Sequence, residues 1–538
     1  MSGAWWTSRY VDGKPHDDPS DCHTAFSLQN LCFVCVLCVF WSFSVPLEFE
    51  VSWRRVWNLF SFLRMLSSVD SILHLSSVSA GGVRELQLGS VKFDLGRVSK
   101  LHFGLGTKAG GGGCGLGQRR SEGVVRPMAM AASVDAGAGK TLESWEALAG
   151  MLGKEELPER LPGVKRRVFE DGQEPALVFY RDNSSWCPYC QRVWLQLEEK
   201  RIPYEVEKIN MRCYGEKPAW FTKMVPSGLL PVLELDGKII TESMDIMFLI
   251  EQRFPDYNPL LPSGGPELAA VDSLLGLERR LAGAWMNRLR SSWPDMNGFE
   301  NTMDKVNSAL QRFGGPYFLG SKFSMVDAVY APFLERIAAS MPYWPGVKVR
   351  GNDRWPAVNS WFDAMDSRPA YQAMKSDDFT HTHDLEPQIG PCRSAPAGQA
   401  YRDLINGKNG SWDLPLKPEE TAWGFDDGTG KGGAKEEAAR TLIKNHEKVV
   451  SFALRPVRDG EKYKEMVDLA FHLVANALML GVENVPDSVN PSTFPPQVAV
   501  AAAYLRDRVG VPRDMSYPAA RQLRAHLNWL IRSLGSDL

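Results

Sequence analysis

Residues 183–193 read NSSWCPYCQRV. Cys187 and Cys190 stand three positions apart with Pro188 between them and Arg192 behind. Such a pair can be a redox dithiol, half of a metal site or a structural disulfide, and the flanking sequence separates these readings. Upstream, PALVFY (Pro175–Tyr180) is a short apolar run suited to a buried strand. Downstream, Cys190, Val193, Trp194 and Leu197 recur at helical spacing, and PYEVEKIN alternates like a second strand. Cys187 is therefore expected at a strand-to-helix junction, where free backbone N–H groups and the helix dipole favour a thiolate. Pro188 suits the first helical turn, because its missing N–H costs nothing there. Cys190 follows one turn later on the same side.

A lone C-x-x-C supplies two metal ligands, whereas a closed zinc site needs four. Cys213 and Cys392 are isolated, and neither has a paired histidine. No metal is expected, and nine cysteines scattered over 538 residues do not make a disulfide scaffold. A reactive dithiol in a thioredoxin-like α/β unit is the reading that survives. VPSGLLPVLELDGKIITESMDIMFLIEQRF (residues 225–254) completes that unit. LPVLEL and KII form a hairpin across Asp236-Gly237. Pro231, opening a strand, suits a cis peptide. A helix starting at Thr241-Glu242-Ser243 offers N–H groups to an anion.

Taken together, C-P-Y-C, KPAWF, LLPVLE and ESMDI resemble the cytosolic-type glutathione transferases, in particular the cysteine-containing classes (omega, lambda and dehydroascorbate-reductase-like). The resemblance spans roughly Pro175 to Leu385. It implies glutathione as co-substrate and Cys187 as the catalytic cysteine. It also implies Lys217 on the glycine carboxylate, the backbone of Leu230 before Pro231 on the cysteinyl group, and Glu242 and Ser243 on the γ-glutamyl end. Most members carry one cysteine. Cys190 makes this chain similar to glutaredoxins as well and leaves monothiol and dithiol routes both open.

Beyond residue 258 the pattern turns helical. ELAAVDSLLGLERRLAGAWMNRLR and TMDKVNSALQRF are amphipathic at a period of 3.6, and Ser324-Met-Val-Asp327 reads as a capping box. Trp285, Met286 and Tyr330 are expected in the core beside the cleft. Residues 386–435 are dense in glycine and proline and read as a linker, although Tyr401, Trp412, Trp423 and Phe425 argue that it lies on a surface. A last apolar helix face runs through Tyr463, Met466, Val467, Ala470, Phe471, Val474, Ala477 and Leu478 to Gly481, and another through Leu523, Leu527, Leu530 and Leu534. A transferase with an added C-terminal helical domain is similar to the iota class.

The start of the chain differs in character. Residues 1–64 hold an apolar run, Leu31–Val45, of about 15 residues, short of the roughly 20 that a membrane helix needs. Cys32, Cys35 and Cys38 within it lack a histidine or fourth cysteine nearby. From Met65, itself a natural start, the sequence is serine-rich, basic and poor in acid, as in an organelle transit peptide. The mature protein is expected to start near Met128–Ser133, in the chloroplast, with the cytoplasm as alternative.

The expected organisation is α/β plus all-α. A largely disordered presequence (1–130) and an N-terminal extension (131–174) precede a thioredoxin-like glutathione-binding domain (175–258). A helical transferase domain (264–385), a linker (386–435) and a C-terminal helical domain (436–538) follow. The expected function is a glutathione-dependent thiol transferase acting on a small-molecule or glutathionylated-protein substrate. The alternative is a non-catalytic glutathione-binding module whose last domain recruits a partner. A formal charge of -3 argues against nucleic acid or an anionic membrane as partner. Dimerisation is common in the resembling family.

Overall fold

The computed structural model describes residues 85–88, 91–94, 142–153, 159–211, 214–417, 433–485 and 494–538. The chain forms two compact units, Met1–Ala129 and Met130–Leu538. In the first, β1 (Glu85–Leu88) and β2 (Val91–Asp94) pair antiparallel, Glu85 opposite Asp94. The run Leu31–Val45, its cysteines, the start at Met65, the expected maturation point, Cys213, Trp423 and Phe425 lie outside the described residues. All other elements belong to the second unit.

Its sheet has the order β3-β5-β4-β6-β7, from β3 (Arg166–Arg167), β4 (Leu177–Asp182), β5 (Tyr204–Ile209), β6 (Val232–Leu235) and β7 (Lys238–Ile240). Only β4 and β5 are parallel, Leu177 opposite Tyr204 and Asp182 opposite Ile209. A parallel pair needs a crossover. α2 (Pro188–Lys200) supplies it, opening on Pro188 and ending at Arg201 in the left-handed region. Both residues of the β6–β7 turn, Asp236 and Gly237, have positive φ (52° and 72°), which two-residue hairpins favour. α3 (Ala219–Met224) precedes β6 and α4 (Ser243–Arg253) follows β7. β4 runs two residues past the apolar stretch, so Arg181 and Asp182 are strand residues and both are buried.

The helical layer comprises α5 (Gly265–Arg290), α6 (Gly298–Gln311), α7 (Met325–Tyr343), α8 (Pro356–Asp366), α9 (Pro369–Met374) and α10 (Asp378–Ile389). It shares one apolar core with the sheet, from Leu177 to Leu385. At the start of α7, Asp327 accepts from Ser324 N (2.9 Å), Phe318 N (3.1 Å) and Trp361 Nε1 (2.9 Å), so the capping box also pins neighbouring segments. Nearly every residue of α7 is buried, including its charged pair Glu335 and Arg336. Trp285 and Tyr330 are core residues, donating to Ser340 Oγ (2.9 Å) and Leu274 O (2.8 Å).

The described part of the stretch read as a linker carries helical structure. α10 continues to Ile389 with Pro387 in its last turn, and α11 (Gln399–Ile405) follows. Trp412 is buried against Phe379 and Ala525. The closing bundle holds α12 (Ala434–Ala453), α13 (Lys464–Leu480), α14 (Pro496–Arg506) and α15 (Tyr517–Ser533) around a separate apolar core. Of the predicted α13 face, Met466 turns outward while Val467 through Leu478 are buried. This core recruits α1 (Trp145–Met151) from far upstream through Leu148 and Leu152. The Trp145 ring lies 4.4 Å from the His446 ring and 4.7 Å from the His472 ring. No helix among the described residues is long and apolar enough to cross a membrane.

Candidate active site

The loop after β4 brings Cys187 to the residue preceding the first turn of α2, with φ -61° and ψ 119°. That extended geometry turns its carbonyl into the helix, where Gln191 N donates to it at 3.0 Å. The Cys187 sulfur stays half-buried, and Cys190, one turn on, is 1% exposed. Hydrogen bonding from the Cys190 side chain foremost, and from the N–H groups of Cys190 and Tyr189, favours the charged form of Cys187. Against burial and the Asp182 carboxylate, these donors hold Cys187 below the ordinary thiol range. Cys190 moves the other way. Burial first, then its bond to Cys187 and the charges of Cys187 and Asp182, push it well above that range. One fold thus drives two neighbouring thiols apart.

Asp182, at the end of β4, is the third member of this cluster. One carboxylate oxygen and the two sulfurs lie within 4.8 Å of one another, the one such grouping of potential ligand atoms among the described residues. The group consists of two thiols beside a carboxylate. Asp182 Oδ2 also accepts from Trp186 N at 2.8 Å, which ties the loop to the strand.

A buried polar layer lies behind the loop. The Arg336 guanidinium donates to the Trp186 carbonyl and, at 3.0 Å, to Gln191 Oε1. Gln191 Nε2 donates to Glu335 Oε2 at 2.9 Å, and His381 Nε2 of α10 lies 3.3 Å from that same oxygen. Burial, more than any charge, pushes His381 below the ordinary histidine range. Arg192 reaches Glu278 of α5 at 3.2 Å. Helices α5, α7 and α10 therefore each anchor part of the loop–helix junction.

Four of the remaining sequence-predicted residues, Leu230, Pro231, Glu242 and Ser243, gather at the same end of the sheet. Tyr180 stands opposite Val232, so Leu230 and Pro231 lie beside Asp182 and Arg181, joined by a cis peptide bond. Leu233 stands opposite Ile240, which brings Glu242 and Ser243 to this end as well. Glu242 has φ 64°, uncommon for a residue with a side chain; such conformations collect at ligand clamps. Ser243 is buried as the first residue of α4. Lys217 is half-buried, its Nζ 5.6 Å from the centre of the Phe221 ring. Its stem runs past Gly228, where φ is +63° and a Cβ would come within 3.4 Å of Lys217 Cδ. Cys392 follows α10, its thiol pushed up to about 12 by burial and then by Glu386.

Asp182, Gln191, Glu335, Arg336 and His381 were not singled out by sequence. A signal existed for two of them: Glu335-Arg336 interrupts the apolar run of α7 on a helix too apolar to expose a face.

Comparison with known proteins agrees with this architecture. Residues 186–253 match the model for the glutathione S-transferase N-terminal domain, and 277–364 that for the C-terminal domain. Glutathione S-transferase DHAR2 of Arabidopsis thaliana is 30% identical over 193 residues, 35% of this chain and 84% of the relative. The chloroplastic glutathione S-transferase L2 of Arabidopsis thaliana is 28% identical over 214 residues, 39% of this chain and 71% of the relative. Among solved structures, glutathione transferase Omega 3C from Trametes versicolor is 26% identical. That match covers 45% of this chain and 98% of that one, with a TM-score of 0.33.

Proposed function

The chain belongs to the glutathione transferase superfamily, and on that premise we propose that it is a glutathione-dependent thiol transferase with Cys187 as nucleophile. The Cys187 thiolate attacks the glutathionyl sulfur of a glutathionylated substrate, the substrate leaves as its thiolate, and Cys187 retains the glutathionyl group as a mixed disulfide. A second glutathione thiolate then resolves it, releasing glutathione disulfide. Lys217 receives the glycine carboxylate, the Leu230 backbone before Pro231 pairs with the cysteinyl group, and Glu242 and Ser243 take the γ-glutamyl end. Conjugation to electrophiles, which relies on a hydroxyl to activate bound glutathione, is expected to be weak. The chloroplast is the proposed compartment, supported by the basic, acid-poor leader and by a relative named chloroplastic.

The observation that carries this reading is the unequal setting of the two thiols: Cys187 is half-buried at the start of α2, while Cys190, one turn on, is buried inside the fold. Deglutathionylation by single variants tests it. Cys187→Ser is expected to abolish transfer, and Cys190→Ser to keep monothiol turnover because free glutathione resolves the intermediate. An active Cys187→Ser beside a dead Cys190→Ser reverses the assignment. Calorimetry tests the binding residues: Lys217→Ala and Ser243→Ala should each weaken glutathione by roughly tenfold or more.

A further inference from the structure

We propose that Asp182 is the proton acceptor of Cys190, which makes the buried thiol a competent resolving nucleophile. The inference rests on the assignment of Cys187 as the residue that takes the glutathionyl group.

In the resting protein the Cys187 sulfur, the proposed thiolate, lies within 4.8 Å of the Cys190 sulfur and its proton. Once Cys187 is a mixed disulfide, that sulfur is neutral and no longer draws the proton. Cys190 must then ionise in a site where it is 1% exposed and burial opposes its charge. Bulk water has little access to it. Asp182 is equally buried, and one of its oxygens shares the 4.8 Å cluster with both sulfurs. Catalytic contacts of this kind commonly tighten only in the reacting complex.

The step balances as follows. The Cys190 S–H bond breaks and its proton passes to an Asp182 oxygen. The freed electron pair attacks Cys187 Sγ, and the Cys187–glutathione S–S bond breaks. The leaving pair departs on glutathione, which is protonated by solvent. The protein dithiol is oxidised to its disulfide, and the glutathionyl sulfur is reduced. On return, a glutathione thiolate attacks Cys187 Sγ and Cys190 leaves, taking its proton back from Asp182; a further glutathione thiolate then attacks the glutathionyl sulfur, releasing glutathione disulfide and the Cys187 thiolate.

Three guanidinium groups face this centre from the packed elements: Arg181 on β4, Arg192 on α2 and Arg336 on α7. None loses its proton near neutrality. His381 stands one ring further off, 6.4 Å from Trp186 between ring centres. Asp182 is the carboxylate of the cluster, which also places Arg181 through its carbonyl: Arg181 Nη1 donates to Asp182 O at 2.7 Å.

The test loads the full chain with one glutathionyl group on Cys187 and follows glutathione release by acid quench and mass spectrometry. Asp182→Asn keeps an oxygen for the Trp186 N–H while losing the base. It is expected to slow release from the dithiol protein by about 100-fold, the lower end of what a positioned base contributes. Its effect on monothiol turnover in the Cys190→Ser background should be at least tenfold smaller. Release at the unsubstituted rate, or equal slowing in both backgrounds, overturns the proposal, the latter pointing to loop placement through Trp186. The unsubstituted protein supplies a measurement that does not depend on the variant folding. With an internal base, release is nearly flat between pH 6 and 8; a tenfold rise per pH unit overturns the proposal. If Cys187 accepts no glutathionyl group at all, the assignment of the nucleophile falls and this step with it. If it accepts one and the rates do not respond, only the role of Asp182 falls.

Discussion

The thioredoxin-like and helical layers meet through hydrocarbon, whereas the closing bundle meets them largely through polar groups. Between sheet and helices a single apolar core runs without a break, so neither layer buries its apolar face alone. The bundle has its own core, which includes none of those residues. Its seam with α10 holds a fully buried ion pair, Arg524–Asp377, at 2.5 Å. The Ser376 hydroxyl donates to the Val511 carbonyl, Val511 N donates to Thr380 Oγ1 at 3.2 Å, and Arg160 Nη1 donates to Pro512 O at 2.8 Å. Apolar contact at the seam includes the small cluster of Phe379, Trp412 and Ala525. Non-directional burial stabilises layers that always stay together. A buried polar seam instead demands one register, because any misfit leaves a charge without its partner. α10 carries this seam at its N-terminus and His381, beside Glu335, one turn later. The bundle thus rests on the helix that backs the loop of Cys187.

The substitution with the largest expected effect is Arg524→Ala, which leaves Asp377 buried without its partner. A loss of about 3–5 kcal/mol is expected, read by chemical denaturation as early release of the bundle from the body. If Arg524→Ala unfolds at the unsubstituted midpoint, the seam does not hold the bundle. Phe471→Ala empties the bundle core and should cost a similar amount, about 3–5 kcal/mol. It should lower the bundle's transition while the body's stays in place. A single transition moving as a whole would show the two cores to be energetically one.

Acid should separate the regions more gently. His526, buried in α15, is pushed down to about 4, by burial foremost. Unfolded, it titrates near 6.5, so between about pH 6.5 and 4 the unfolded state binds the extra proton. Stability is fully present above that window and falls as pH drops through it, by up to about 3 kcal/mol. His526→Gln should flatten the slope of the bundle's midpoint against pH; an unchanged slope would assign it to other groups. Smallest is Ser144→Ala. Ser144 Oγ accepts from Ala147 N at 3.1 Å at the start of α1. Its loss should cost about 1 kcal/mol, seen as faster hydrogen exchange in α1 with the sheet unaffected.

Periodicity and turn chemistry determined much of the fold, because they are local. The apolar spacing of Cys190, Val193, Trp194 and Leu197 gave α2, Asp236-Gly237 gave the hairpin turn, and Ser324 with Asp327 gave the start of α7. The candidate glutathione residues were legible only as a combination of motifs. The sheet register then gathered Leu230, Pro231, Glu242 and Ser243 at one end of the sheet. What tertiary structure alone decided is which polar residues are buried together. Asp182 ends a strand whose apolar run stops two residues earlier, and nothing nearby in sequence tells that it lies beside two sulfurs. Glu335 and His381 are 46 positions apart and meet because α7 and α10 pack side by side. Leu148 and Leu152 enter a core whose other buried members begin at Ala438, a pairing no local pattern encodes. Hydrophobic periodicity states that a face will be covered; the covering element, and the charges it carries, are fixed only when the chain closes on itself.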